Sequence, residues 1–180
     1  VLKDSEAPHV KSLAKALLAL YLLILVWLVL FKFSLDLSPI LEYQTRSLNV
    51  IPFAGLSRNN LRETIYNFVV FIPFGLLLSV NLKRAGFWQR LAIILGFSLA
   101  VEIIQFVFAI GVTDITDVIT NTFGGFLGLI LYDLLNRFVD TKRLDRSIVI
   151  AGTILLALFV LLLGFLLSHH VSYHSPPRKV

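Results

Sequence analysis

The chain has 180 residues, of which 57% are apolar and only 15% charged, far below the roughly 25% charge of a water-soluble domain. Its net charge of +5 comes from basic residues clustered beside apolar runs, with no basic stripe interleaved with aromatics, so nucleic acid is not an expected partner. The absence of cysteine excludes disulfides, thiolate nucleophiles and thiolate metal ligands, leaving any chemistry to oxygen and nitrogen groups.

Five apolar runs approach the length of about 20 residues that crosses a hydrocarbon core. They are Leu13 to Phe33, Thr64 to Leu82, Leu91 to Gly111, Val118 to Leu135 and Ile148 to Leu167. The expected fold is therefore all-α, a polytopic transmembrane helical bundle. Its transmembrane domain would span 13–167, between a cytoplasmic N-terminal segment, 1–12, and a flexible tail, 168–180. The chain contains no methionine, which leaves room for a translated start upstream of Val1.

The first run follows Lys11 and Lys15 as a secretory signal would, but it is too long and lacks a small-residue cleavage site, so a retained helix is expected. The loop after it, Ser34 to Glu63, holds the breakers Asn49, Pro52 and Gly55 around an apolar centre. It exceeds the roughly 12 to 15 residues beyond which structureless loops are uncommon, which points to an interfacial or re-entrant segment. Pro73, inside the second run, cannot donate to the carbonyl of Val69 and predicts a kink. The fourth run places Thr120, Asn121 and Thr122 beside Gly124, Gly125 and Gly128, a composition that needs protein neighbours. The four-residue spacing of Gly124 and Gly128 suits close helix packing. His169, His170 and His174 in the tail are too loosely spaced to make a convincing metal site, and no metal or cofactor is expected.

Basic residues are retained on the cytoplasmic side. Lys3, Lys11 and Lys15, the turn with Lys83, Arg84 and Arg90, and the loop with Arg137, Lys142, Arg143 and Arg146 all fall on one side if five helices alternate. The turn around Asp114 and Asp117 has no basic residue and falls on the other. Arg46, Arg58 and Arg62 in the first loop run against the rule without overturning it. The N-terminus is thus expected in the cytoplasm.

Within this frame several polar residues lie where a membrane span disfavours them. Glu102 sits in the third run, where a carboxylate costs about 2.5–3.5 kcal/mol on insertion scales. Ser98 and Gln105, four residues before and three after it, share its helical face. Asp114, Asp117 and Asn121 repeat that spacing at the start of the fourth span, and Asn67 lies near the start of the second. Alternation brings all of these to the outer end of the bundle. Arg62, at the mouth of the second span, could pair with an acid or an anionic head group. Plain alternatives stand beside this reading: an interhelical hydrogen-bond network for Ser98, Glu102 and Gln105, N-capping for Asp114, and a dipole-favoured first-turn acid for Asp117. Three acids with amides could also bind a hard cation.

At these residues the sequence resembles the VanZ-like membrane family. The match is carried by Asn49-Val50-Ile51-Pro52-Phe53, by Asn67 followed by Phe71-Ile72-Pro73-Phe74-Gly75, and by Glu102-Ile103-Ile104-Gln105. Asp114, Asp117, Asn121, Thr122, Gly124, Gly125 and Gly128 complete it. It covers about Asn49 to Leu135 and leaves the first and last helices unmatched. The resemblance implies a bacterial plasma-membrane protein linked to tolerance of the glycopeptide antibiotic teicoplanin.

Three functions fit these residues. The first is an outward-facing polar intramembrane cavity that binds a lipoglycopeptide or a lipid-linked cell-wall precursor through Arg62, Asn67, Ser98, Glu102, Gln105, Asp114, Asp117 and Asn121. The second is an intramembrane enzyme acting on a lipid head group, with Glu102 as base and Asp114 or Asp117 as acid or metal ligand. No strong catalytic motif supports it. The third is a proton- or cation-coupled transporter, which lacks internal repeats unless dimerisation supplies a second half. Membrane lipids are the expected surroundings in each case.

Overall fold

In a bilayer the backbone must satisfy its own hydrogen bonds, which makes helix the available conformation for long apolar runs. A computed structural model describes residues 8–30, 47–53, 58–109 and 112–173. Within them lie five helices, α1 Pro8–Leu30, α2 Arg58–Asn81, α3 Phe87–Phe108, α4 Ile115–Leu135 and α5 Thr141–Tyr173. Each is long and apolar enough to cross a membrane.

The helices begin before the apolar runs do, and for α3, α4 and α5 capping contacts start them. Gly86 is extended (φ −66°, ψ 165°) and its N–H donates to Gln89 Oε1 at 2.8 Å, so α3 starts at Phe87 rather than Leu91. Asp140 Oδ1 accepts from the N–H groups of Lys142 and Arg143 at 3.1 and 3.3 Å. That cap draws the charged stretch Thr141 to Ser147 into α5, ahead of the run at Ile148. At its other end α5 continues past Ser168 to Tyr173 and includes His169 and His170. His174 and the rest of the tail lie outside the described residues, as do residues 1–7 and most of the Ser34 to Glu63 loop. The question of re-entry therefore falls outside them too.

The closest packing joins α2 to α4. A Cβ on Gly124 would overlap the Phe68 carbonyl oxygen, one on Gly128 the Ile72 carbonyl oxygen, and one on Gly75 the Gly125 carbonyl oxygen. The four-residue steps on the two helices match, so backbone lies against backbone. α2 is assigned as a continuous helix through Pro73. α1 packs on its outer side, where the Tyr21 hydroxyl donates to the Val70 carbonyl. Leu25, Phe71, Phe74, Ile94 and Leu129 fill the core between α1, α2, α3 and α4. α5 is peripheral. Gly152 rests against Leu17 of α1, while Leu155, Leu158 and Leu161 remain exposed, as suits a lipid-facing helix.

One feature departs from a purely helical bundle. Ser47–Asn49 (β1) pairs in parallel with Val112–Asp114 (β2), with Leu48 opposite Thr113 and Asn49 opposite Asp114. The ribbon ties the Asn49 to Phe53 motif to the turn between α3 and α4. That same end carries the start of α2, the end of α3 and the start of α4. Lys83 and Arg84 gather with Lys11 and Lys15 at the opposite end.

Candidate functional site

A helix N-terminus presents unsatisfied N–H groups and a partial positive charge, and three carboxylates surround the N-terminus of α4. Asp114 is its N-cap: extended at φ −127°, ψ 124°, it accepts from the Thr116 N–H at 2.8 Å through Oδ1. Its Oδ2 accepts from Asn49 Nδ2 at 2.9 Å. Glu102, buried on α3, accepts through Oε2 from the Asp114 N–H at 3.1 Å, and its own carbonyl accepts from the Thr113 hydroxyl at 3.4 Å. Asp117, in the first turn, accepts from Asn67 Nδ2 of α2 at 2.8 Å. The capping roles expected of Asp114 and Asp117 are thus real, and they coexist with bonds from two asparagines.

One turn deeper, Asn121 Nδ2 donates to Ser98 Oγ at 3.0 Å. Both residues are fully buried, and Asn121 Oδ1 and Thr122 Oγ1 have no hydrogen-bond donor among the described residues. Gln105 shares the Glu102 face of α3 but turns toward α1, where Nε2 donates to the Val29 carbonyl at 3.1 Å. Its role there is to hold two helices together. Arg62 stands apart from the acids. It is exposed, with Nη2 3.4 Å from the Tyr66 hydroxyl and its guanidinium 5.9 Å from the Tyr66 ring, and it forms no ion pair among the described residues.

Sequence reasoning left Asn49 and Thr116 out of the site. Asn49 belongs to the family-like motif, and its Oδ1 also accepts from the Ile51 N–H at 3.2 Å. Thr116 Oγ1 accepts from the Phe53 N–H at 3.0 Å. Only the strand pairing brings these segments together, and three-residue strands give no alternation to read. Two non-glycine residues in the left-handed region flank the site, Phe53 at φ 58° and Ala109 at φ 51°, each a conformation costing roughly 1–2 kcal/mol. Ala109 ends α3, and its N–H returns to the Gln105 and Phe106 carbonyls.

Beside the carboxylates is a cavity of about 290 Å3, walled by Leu48 and Val50 of the ribbon segment, Leu99, Ile103 and Phe106 of α3, and Val118 of α4. Glu102, Asp114 and Asn49 are among its polar members, and most of the exposed wall is apolar. Among the described residues no three histidine, aspartate or glutamate side chains gather closely enough to hold a metal ion. Ser98 Oγ accepts from the Asn121 amide rather than bonding a base. Chemically, the arrangement presents clustered acceptors next to an apolar groove, which suits a hydroxyl- or amine-bearing head attached to an apolar chain.

The VanZ/LLP1 family model matches residues 18–136, which include every residue of this cluster. The chain is 55% identical to protein VanZ of Enterococcus faecium over 150 residues, covering 83% of this chain and 92% of that one. No solved structure matches it. The chain is a multi-pass membrane protein and belongs to the VanZ/LLP1 family.

Proposed function

We propose that this protein acts in teicoplanin tolerance, in a bacterial plasma membrane with its N-terminus cytoplasmic, by binding an amphipathic ligand at the carboxylate end of the bundle. The ligand is the lipoglycopeptide itself or a lipid-linked cell-wall precursor. The observation that carries this reading is the apolar groove alongside Glu102, Asp114 and Asn49. At about 290 Å3 it lies at the lower limit of small-molecule sites, which run from about 300 to 1,000 Å3. That size suits part of an acyl chain and excludes a whole glycopeptide. The polar portion would remain at the bundle end, where the carboxylates gathered around the α4 N-terminus can accept from its hydroxyl or amine groups.

The intramembrane-enzyme reading, with Glu102 as base and Asp114 or Asp117 as acid, gains less support. Asp114 is engaged at both oxygens, and Ser98 is bonded to Asn121 rather than to a base.

The test is expression of the wild type, Leu99→Trp and Ile103→Trp in a susceptible Gram-positive host, with equal membrane levels confirmed. Wild type should raise the inhibitory concentration of teicoplanin but leave that of vancomycin, a glycopeptide without an acyl chain, unchanged. Filling the groove with tryptophan should return teicoplanin sensitivity toward that of the host. Protection against neither drug by wild type would sink the reading, and full protection by both tryptophan variants would remove the groove from it.

A further inference from the structure

The opposite end of the bundle holds a larger open pocket, about 740 Å3, which the carboxylate cluster does not use. Lys11 and Lys15 reach it from the start of α1, one helical turn apart, and Lys83 and Arg84 from the turn between α2 and α3. Asp145 of α5 is the sole carboxylate in its lining among the described residues. Lys83 is already neutralised: its Nζ lies 2.6 Å from Asp145 Oδ1 and also bonds the Tyr132 hydroxyl. Lys11, Lys15 and Arg84 are exposed and form no ion pair among the described residues. With no ion-pair partner among the described residues, these three cations around one concavity repel one another and focus a positive field into it.

The surroundings indicate what brings the compensating charge. Val10, Ala14, Val80 and Leu82 make the pocket wall largely apolar below the cations. The pocket lies at the ends of the His9–Leu30, Leu61–Asn81 and Phe87–Phe108 spans, level with the headgroup region. Trp88, 75% exposed next to the lining residue Gln89, fits the same level, since tryptophan favours the membrane–water boundary. A cationic ring over an apolar wall matches a phosphate joined to a glyceride, and the Arg84 guanidinium suits phosphate in a forked geometry. We infer that this pocket binds the phosphate of an anionic lipid headgroup, independently of the ligand at the carboxylate end.

The full chain, purified in an uncharged detergent, would be titrated with dihexanoyl phosphatidylglycerol, dihexanoyl phosphatidylcholine and glycerol phosphate, and adducts counted by native mass spectrometry. Phosphatidylglycerol should bind best. The triple variant Lys11→Gln, Lys15→Gln, Arg84→Gln should bind it on the order of a hundredfold more weakly, while Lys11→Arg, Lys15→Arg, Arg84→Lys should retain binding. Unchanged binding by the neutral variant, or equal binding of phosphatidylcholine, overturns the assignment. Glycerol phosphate binding as tightly as the lipid would make this a soluble phosphate-ester site and overturn the lipid. If the triple variant does not fold, Lys15→Gln and Arg84→Gln are measured singly, and unchanged binding in both overturns it as well.

Discussion

At one end of the bundle Glu102, Asp114 and Asp117 are held by a helix N-terminus and the amides of Asn49 and Asn67. At the other, Asp145, only 2% exposed, is held by the Lys83 ammonium and by the Tyr132 hydroxyl at 2.7 Å. Arg90, also buried, bonds Ser79 Oγ at 2.7 Å and reaches Asp133 at 3.4 Å. The two ends bury charge by different physics. Counter-ions make Lys83 and Asp145 depend on each other for stability. At the α4 terminus the carboxylates take hydrogen bonds from backbone N–H groups and asparagine amides, which orient them around one helix end. The comparison teaches that the Lys83–Asp145 pair is built for holding and the carboxylate end for meeting something.

Substitutions at the two ends should therefore separate stability from activity. Removing one partner of a buried pair strands the other, at 3–5 kcal/mol when both are fully buried. Lys83 is 38% exposed, so Lys83→Ala is expected to lose about 3 kcal/mol. Unfolding by SDS, followed by circular dichroism, would check this. A loss below about 1 kcal/mol, the range of surface pairs, would mean that the basic end is solvated rather than structural. Next in size is Asp114→Ala, which removes the α4 cap and the Asn49 bond, each contributing about 1 kcal/mol. The same unfolding measurement should record a loss of about 2 kcal/mol, and Asp114→Asn, which keeps an acceptor at the cap, should recover about half of it.

Much of this division is legible in the sequence. The lengths of the apolar runs give five spans, and alternation brings Asn67, Glu102, Asp114 and Asp117 to one end because the short turns at Lys83 and at Asp114 force neighbouring helices to run antiparallel. Gly124 and Gly128 announce close packing by their spacing. Other features leave no such mark. Arg90 looks like a loop charge marking a cytoplasmic side, and Asp145 goes unremarked, since a hydropathy run cannot see a helix that starts in polar sequence. Arg62 looks like a site residue by its position at a helix mouth, yet its direction around the helix carries it to Tyr66. The parallel ribbon joins residues 47–49 to 112–114, a pairing set by tertiary contact rather than by local pattern. It is what recruits Asn49 and Thr116.

The smallest expected stability change belongs to the most informative residue. Glu102→Gln keeps an acceptor for the Asp114 N–H and loses only the charge, so it should alter stability by less than about 1 kcal/mol. We would measure SDS unfolding and teicoplanin inhibitory concentration for Glu102→Gln in membranes from the same cells, beside wild type and Asp117→Asn. The account predicts wild-type folding with protection lost. Full protection by the glutamine variant, or protection and stability falling together, would mean that the carboxylate cluster is structural and would contradict it.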